Sequence, residues 1–125
     1  MSKKRILRIG IASHTEIQRR ALEIARGELK PGPLEPQVWF TSYKAVSQVF
    51  SDFNMMLIEI IRDHAPESVT ELAELAKRNR PNVVRALSLL KEYNIIEFAE
   101  GEQGRKPPRL LYDQIECSTD LRPAA

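Results

Sequence analysis

His14, His64 and Cys117 carry the most versatile side-chain chemistry in these 125 residues. An imidazole serves as a ligand or proton carrier only beside a partner group. His64 falls on or near an apolar helical stripe close to a helix end, where packing or a helix terminus accounts for it. Asp52 and Asp63, with His64, have the residue types of an acid-base or metal site. Within one helix, however, the two carboxylates lie about three turns apart and cannot converge. The single thiol excludes an intramolecular disulfide and any zinc site built on several cysteines. No phosphate loop, nucleophile elbow or paired-carboxylate pattern occurs. The chain is therefore read as a non-enzyme, with no cofactor and no metal expected.

The cations are more informative. From Lys77 to Lys91 the sequence runs KRNRPNVVRALSLLK, with Arg78, Arg80 and Arg85 and no acid, directly after a segment carrying Glu67, Glu71 and Glu74. At about 100° per residue, Val83, Leu87 and Leu90 share a narrow helical sector with Ala86 at its edge. Arg85 and Ser88 then face the opposite way. A guanidinium is a rigid fork of donors that suits phosphate oxygens or the O6/N7 edge of guanine, and Asn82 has the donor-acceptor pair that suits adenine. The net charge of +2 and the pI near 8.8 permit nucleic-acid binding without demanding it.

These residues need a scaffold. Ile6, Leu7, Ile9 and Ile11 make Arg5 to Ile11 a short strand, and Ile17, Ala21, Ile24 and Ala25 recur at helical spacing between Ser13 and Glu28, with Gly27 near the end. Pro31, Pro33 and Pro36 exclude a helix from the next stretch, after which Gln37 to Thr41 reads as a second strand. Ser42 caps a short helix through Phe50. Ser51 or Asp52 caps another that runs to about His64, with a stripe of Phe53, Leu57, Ile60, Ile61 and His64. Pro66 ends it. Ser68-Val69-Thr70-Glu71 is a capping box that starts a short helix at Val69, packing through Leu72, Ala73 and Ala76. Pro81 suits the first turn of a further helix, with Asn79 as the better cap. Asn94 can end that helix in the left-handed conformation. Ile95 to Ala99 and Arg109 to Cys117 read as partner strands around the turn from Glu100 to Pro108, and residues 118–125 as a frayed tail.

Three helices, the last two joined by a short turn, then two strands around a basic glycine-containing loop, is the order of a winged helix-turn-helix. The helix from Pro81 would enter a major groove, and the loop at Arg105 and Lys106 would be the wing. A plain three-helix unit with solvated cations is the simpler alternative. The order of capping box, acid-free helix and basic loop favours nucleic-acid binding.

The run Pro66 to Ala73, then Asn82-Val83 with Arg85, Leu87 and Leu90, then Ile95-Ile96, then Arg105-Lys106-Pro107 before Tyr112-Asp113, resembles the small MarR-like winged-helix transcriptional regulators, described as DNA-binding or antitoxin-like. The likeness covers about Phe40 to Glu116. It implies a DNA-binding recognition helix, often in a protein that autoregulates a toxin-antitoxin operon. The sequence departs from the family's tendency at Asn54 (arginine), Asn94 (glycine), and Val84 and Ala86 (polar), which leaves base reading to Asn82, Arg85 and Ser88.

The resulting expectation is an α+β fold in which residues 1–40 form a strand-helix-strand extension, 41–117 the winged helix-turn-helix and 118–125 a flexible tail. The function expected is a sequence-specific DNA-binding regulator, a repressor or autoregulating antitoxin. The alternative is a protein-interaction module that neutralises a toxin and binds DNA weakly. Arg78, Arg80, Arg105, Lys106 and Arg109 are expected on phosphates and Asn82, Arg85 and Ser88 on bases, with Ser68 and Thr70 completing the DNA-binding set. Two short strands and one helix bury too little apolar surface alone, so the extension is expected to form a homodimer contact. Trp39, Phe40 and Tyr43 read as core or dimer interface rather than base-stacking groups. The partners expected are duplex DNA and a second copy, with a cognate toxin added under the antitoxin reading. The amino-terminal basic run lacks a usable apolar region, so a cytoplasmic protein with no membrane role is expected.

Overall fold

The computed structural model describes residues 3–122 and shows a mixed α+β protein. Residues 1–2 of the expected extension and 123–125 of the expected tail lie outside the described residues. The elements are β1 (Ile6–Ile11), α1 (His14–Ala25), β2 (Val38–Phe40), α2 (Tyr43–Val49), α3 (Asp52–His64), α4 (Val69–Ala76), α5 (Arg80–Glu92), β3 (Ile96–Phe98), β4 (Pro108–Leu110) and β5 (Gln114–Thr119). No described helix is long and apolar enough to cross a membrane. The chain divides into two units. One runs to Ser47 and resumes at Gln114, and the other spans residues 48–113.

In the first unit, β1 is the middle of a three-stranded sheet of order β2-β1-β5, parallel to both neighbours. The reading of Arg109 to Cys117 as one strand returning to Ile95–Ala99 is corrected here. That stretch splits at Leu111–Asp113: β4 pairs with β3, and β5 pairs with β1 from Ile6↔Gln114 to Ile11↔Thr119. Ser118 and Thr119, expected in the tail, are strand residues. Opposed residues share a face in this register. Leu7, Ile9 and Ile11 therefore align with Ile115, Cys117 and Thr119 on one side, and Arg8 meets Glu116 on the other at 2.5 Å.

On that second side a Cβ added to Gly10 would lie 2.6 Å from the Trp39 ring and 2.7 Å from Pro36, so glycine lets the indole approach the β1 backbone closely. Arg20 of α1 sits 5.5 Å from the Trp39 ring centroid and pairs with Glu35, which ties the helix and the proline-rich loop to this face. α1 starts where expected, with the Ser13 hydroxyl accepting from Glu16 N–H at 3.1 Å. Hydrogen bonding from Arg19, with the Arg19 and Arg20 charges, holds the Glu16 carboxyl below its usual range. The expected apolar face of α1 is not covered: Ile17 is half-buried, Ala21 and Ala25 are exposed, and Ile24 is 40% exposed.

The second unit packs Leu57, Ile58 and Ile61 of α3, Leu72, Ala73 and Ala76 of α4, and Val83, Ala86, Leu87 and Leu90 of α5 into one core with Ile95 and Ile96. His64 is exposed, not part of the α3 core stripe, and it lies in the last turn, where a cation suits the carbonyl end of the helix. Asn54 is buried, and its Nδ2 donates to the Val49 carbonyl at 2.9 Å, fastening the end of α2 to the start of α3.

Candidate nucleic-acid interface

Local chemistry sets the two helices that carry the cations. Ser68 Oγ accepts from Glu71 N–H at 3.0 Å, while the Glu71 carboxylate accepts from Glu67 N–H at 3.1 Å, one residue earlier than in a standard capping box. α4 ends at Lys77, which takes the left-handed conformation (φ 56°) and donates its N–H to the carbonyls of Ala73 and Glu74. Asn79 caps α5 through its side-chain oxygen, which accepts from Asn82 N–H at 3.1 Å, and Pro81 occupies the first turn. The chain thus turns from α4 into α5 within residues 77–79 and presents Arg78, Arg80 and Asn82 at once.

Burying Val83, Ala86, Leu87 and Leu90 forces the rest of α5 outward. Arg80, Asn82, Arg85 and Ser88 are exposed, as is Val84 at 37%. Arg85 Nη2 donates to Asn82 Oδ1, so two of the three residues expected to read bases sit together as one hydrogen-bonded pair. With Arg78 they line an open groove of about 510 Å³ whose other wall is Gln48, Ser51 and Phe53. Gln48 was not anticipated as part of this surface, since nothing in its local sequence indicates that the end of α2 faces α5. Ser51 was legible only as a cap. Arg80 points elsewhere: its Nε donates to Thr70 Oγ1 at 3.2 Å, joining the first turns of α4 and α5.

The loop between β3 and β4 differs in charge from its expectation. Arg105 and Lys106 are exposed, but Glu100 and Glu102 accompany them, and Lys106 Nζ is 3.4 Å from Glu100 Oε1. The loop closes on itself, with Gly101 N–H donating to the Arg105 carbonyl and Arg105 N–H to that of Glu102. A concavity of about 480 Å³ here brings Arg105 and Arg109 beside Glu67, Glu100 and Glu102. Arg109 is half-buried, and its Nη1 donates to the carbonyls of Pro66 (2.8 Å) and Pro108 (2.9 Å), linking β4 to the turn between α3 and α4. That geometry makes Arg109 a brace within the unit, distinct from the exposed cations.

The other candidate groups do not converge. Asp63 is bound by Arg62 at 2.7 Å, and this hydrogen bond holds its carboxyl below the usual range. Among the described residues no cluster of three or more His, Cys, Asp or Glu side chains is placed to hold a metal ion.

No curated protein and no solved structure matches this chain. A family model described as HVO_A0114 matches residues 49–117, which run from the end of α2 through the cationic groove and the β3–β4 loop into β5. Because that match spans more than half of the chain, the protein belongs to the HVO_A0114 family.

Proposed function

We propose that the chain is a sequence-specific, duplex-DNA-binding transcriptional regulator in which α3, α4 and α5 act as a helix-turn-helix and the β3–β4 loop as its wing. The observation that carries this reading is the division of α5. Val83, Ala86, Leu87 and Leu90 are buried, while Arg78, Asn82 and Arg85 line an open groove without an acid on α5 until Glu92. An exposed helix of this kind fits a major groove, with guanidinium and amide groups at the height of base edges. Arg78 at the groove, Arg80 at the first turn of α5, and Arg105 and Lys106 of the loop would supply the phosphate contacts. The acids of the loop make its contribution the smaller one.

Titrating duplex DNA against rising salt tests the reading. If about six phosphates are neutralised, log affinity falls with log salt at a slope near −5, because each contact releases condensed counterions. Absence of duplex binding at low salt overturns the proposal.

A further inference from the structure

The first unit has two sheet edges, and they are not alike. β2 is three residues long and follows Pro36, features that blunt an edge against further pairing. β5 is six residues long, contains neither proline nor lysine, and has β1 on one side and, among the described residues, no strand on the other. The N–H of Gln114 donates to the Arg5 carbonyl at 3.2 Å. Because backbone groups alternate along a strand, Gln114, Glu116 and Ser118 point theirs toward β1, and Ile115, Cys117 and Thr119 point theirs to the open side.

The same residues continue the apolar face. Leu7 and Ile9 are 2% and 1% exposed on the middle strand, whereas their register partners are half-buried (Ile115) and exposed (Cys117). The apolar surface therefore runs out to the edge whose hydrogen bonds are unmade.

We propose that β5 pairs with β5 of a second copy, antiparallel about a two-fold axis through Cys117, so that two three-stranded sheets join into one. Symmetry and hydrogen bonding select this register. In a two-fold antiparallel pair one residue must oppose itself, and the opposed outward-pointing residues exchange bonds. Centring on Cys117 pairs Ile115 with Thr119 of the second copy and uses the outward groups of all three residues. Centring on Ile115 or Thr119 leaves part of the strand unmatched. The charges also agree, since Glu116 then opposes Ser118 of the partner and no like charges meet. The inference stands apart from the DNA reading, and none of its tests involves DNA.

Sedimentation of the full chain in reducing buffer at tens of micromolar, enough to assemble most of a dimer whose Kd is about 1 μM, is expected to show a dimer. In that dimer the amides of Ile115, Cys117 and Thr119 are expected to be protected from hydrogen exchange, although they face away from β1. Opposed hydrogen-bonded residues have Cα atoms about 5.5 Å apart, within the roughly 4.4–6.8 Å that a disulfide spans. Diamide, which accepts the two electrons and two protons of a thiol pair, should therefore cross-link the dimer through Cys117. Combining Cys117→Ser with Ser118→Cys moves the thiol off the axis and to the other face, and cross-linking should slow by about tenfold or more. A monomeric chain overturns the proposal. So does a dimer whose Cys117 amide exchanges freely, or one that the shifted thiol cross-links as fast, because it would be built on another surface.

Discussion

Arg85 and Arg105 are both exposed arginines in the same unit, yet their surroundings assign them different work. Arg85 shares a hydrogen bond with Asn82 at the groove, where under the proposed DNA-binding reading a bidentate pair with guanine would contribute roughly 1–3 kcal/mol of discrimination. Arg85→Ala should accordingly weaken binding to the operator far more than to unrelated duplex, as competition titrations would reveal. Arg105 lies in a loop with two glutamates, so Arg105→Ala should weaken both duplexes alike and make the salt slope shallower by about one unit. Equal losses on both duplexes for Arg85→Ala, with circular dichroism unchanged, would make it a phosphate contact. Arg109 is a different case. It donates to two carbonyls from a half-buried position, and Arg109→Ala should cost about 1–3 kcal/mol in a denaturant titration, because the Pro66 carbonyl loses a charged donor. A loss of DNA affinity at unchanged stability would restore it to the phosphate contacts. The exposed face of α5 was legible because helical periodicity alone separates Arg85 from Val83 and Leu87. The internal role of Arg109 was not, since Pro66 lies 43 residues earlier in the chain.

At the scale of elements, caps decided what the sequence could show. Ser51, Ser68 and Asn79 each cap the helix expected of them, and Ser13 caps the helix expected to begin there, because a short oxygen-bearing side chain satisfies amides only two or three residues ahead. Asn94 takes a positive φ of 58° for an equally local reason. The fate of an apolar stripe is not local. Ile17, Ala21, Ile24 and Ala25 have the spacing of a buried face, yet Ile17 is only half-buried and the other three are exposed, while α1 is held to its sheet by Arg20 over Trp39. Gly10 supports that packing. Gly10→Ala should destabilise the first unit by about 1–3 kcal/mol, since the new methyl group must displace the Trp39 ring and Pro36. The measurement is thermal or denaturant unfolding followed by Trp39 fluorescence, which reports on this contact directly. An unchanged midpoint would show that the indole can move aside at no cost.

For the whole molecule, the decisive feature is that β5 returns from the second unit to complete the sheet of the first. The extension is not a self-contained strand-helix-strand piece, and its boundary lies at Ser47 and Gln114 rather than near residue 40. Ending the chain after Asp113 removes every hydrogen bond that β1 makes on one side and exposes the edge beside Leu7 and Ile9. Amides of Leu7, Ile9 and Ile11 should then lose protection from hydrogen exchange, while those in the core of α5 keep theirs. Retained protection in β1 would mean that β5 adds little to the sheet.

The sequence by itself determined the helices of the second unit, their caps, and which side of α5 is apolar, because these follow from spacings of a few residues and the geometry of one turn. It also excluded a multi-cysteine zinc site and an internal disulfide, since one thiol suffices for neither. Only the tertiary structure decided that Gln48 and Phe53 wall the groove opposite Arg85, that Arg109 braces two carbonyls, and that Gln114–Thr119 runs parallel to β1. Parallel pairing of strands at opposite ends of a chain has no turn to announce it. Its partners are selected by hydrogen bonds and apolar faces that meet only once the chain has folded.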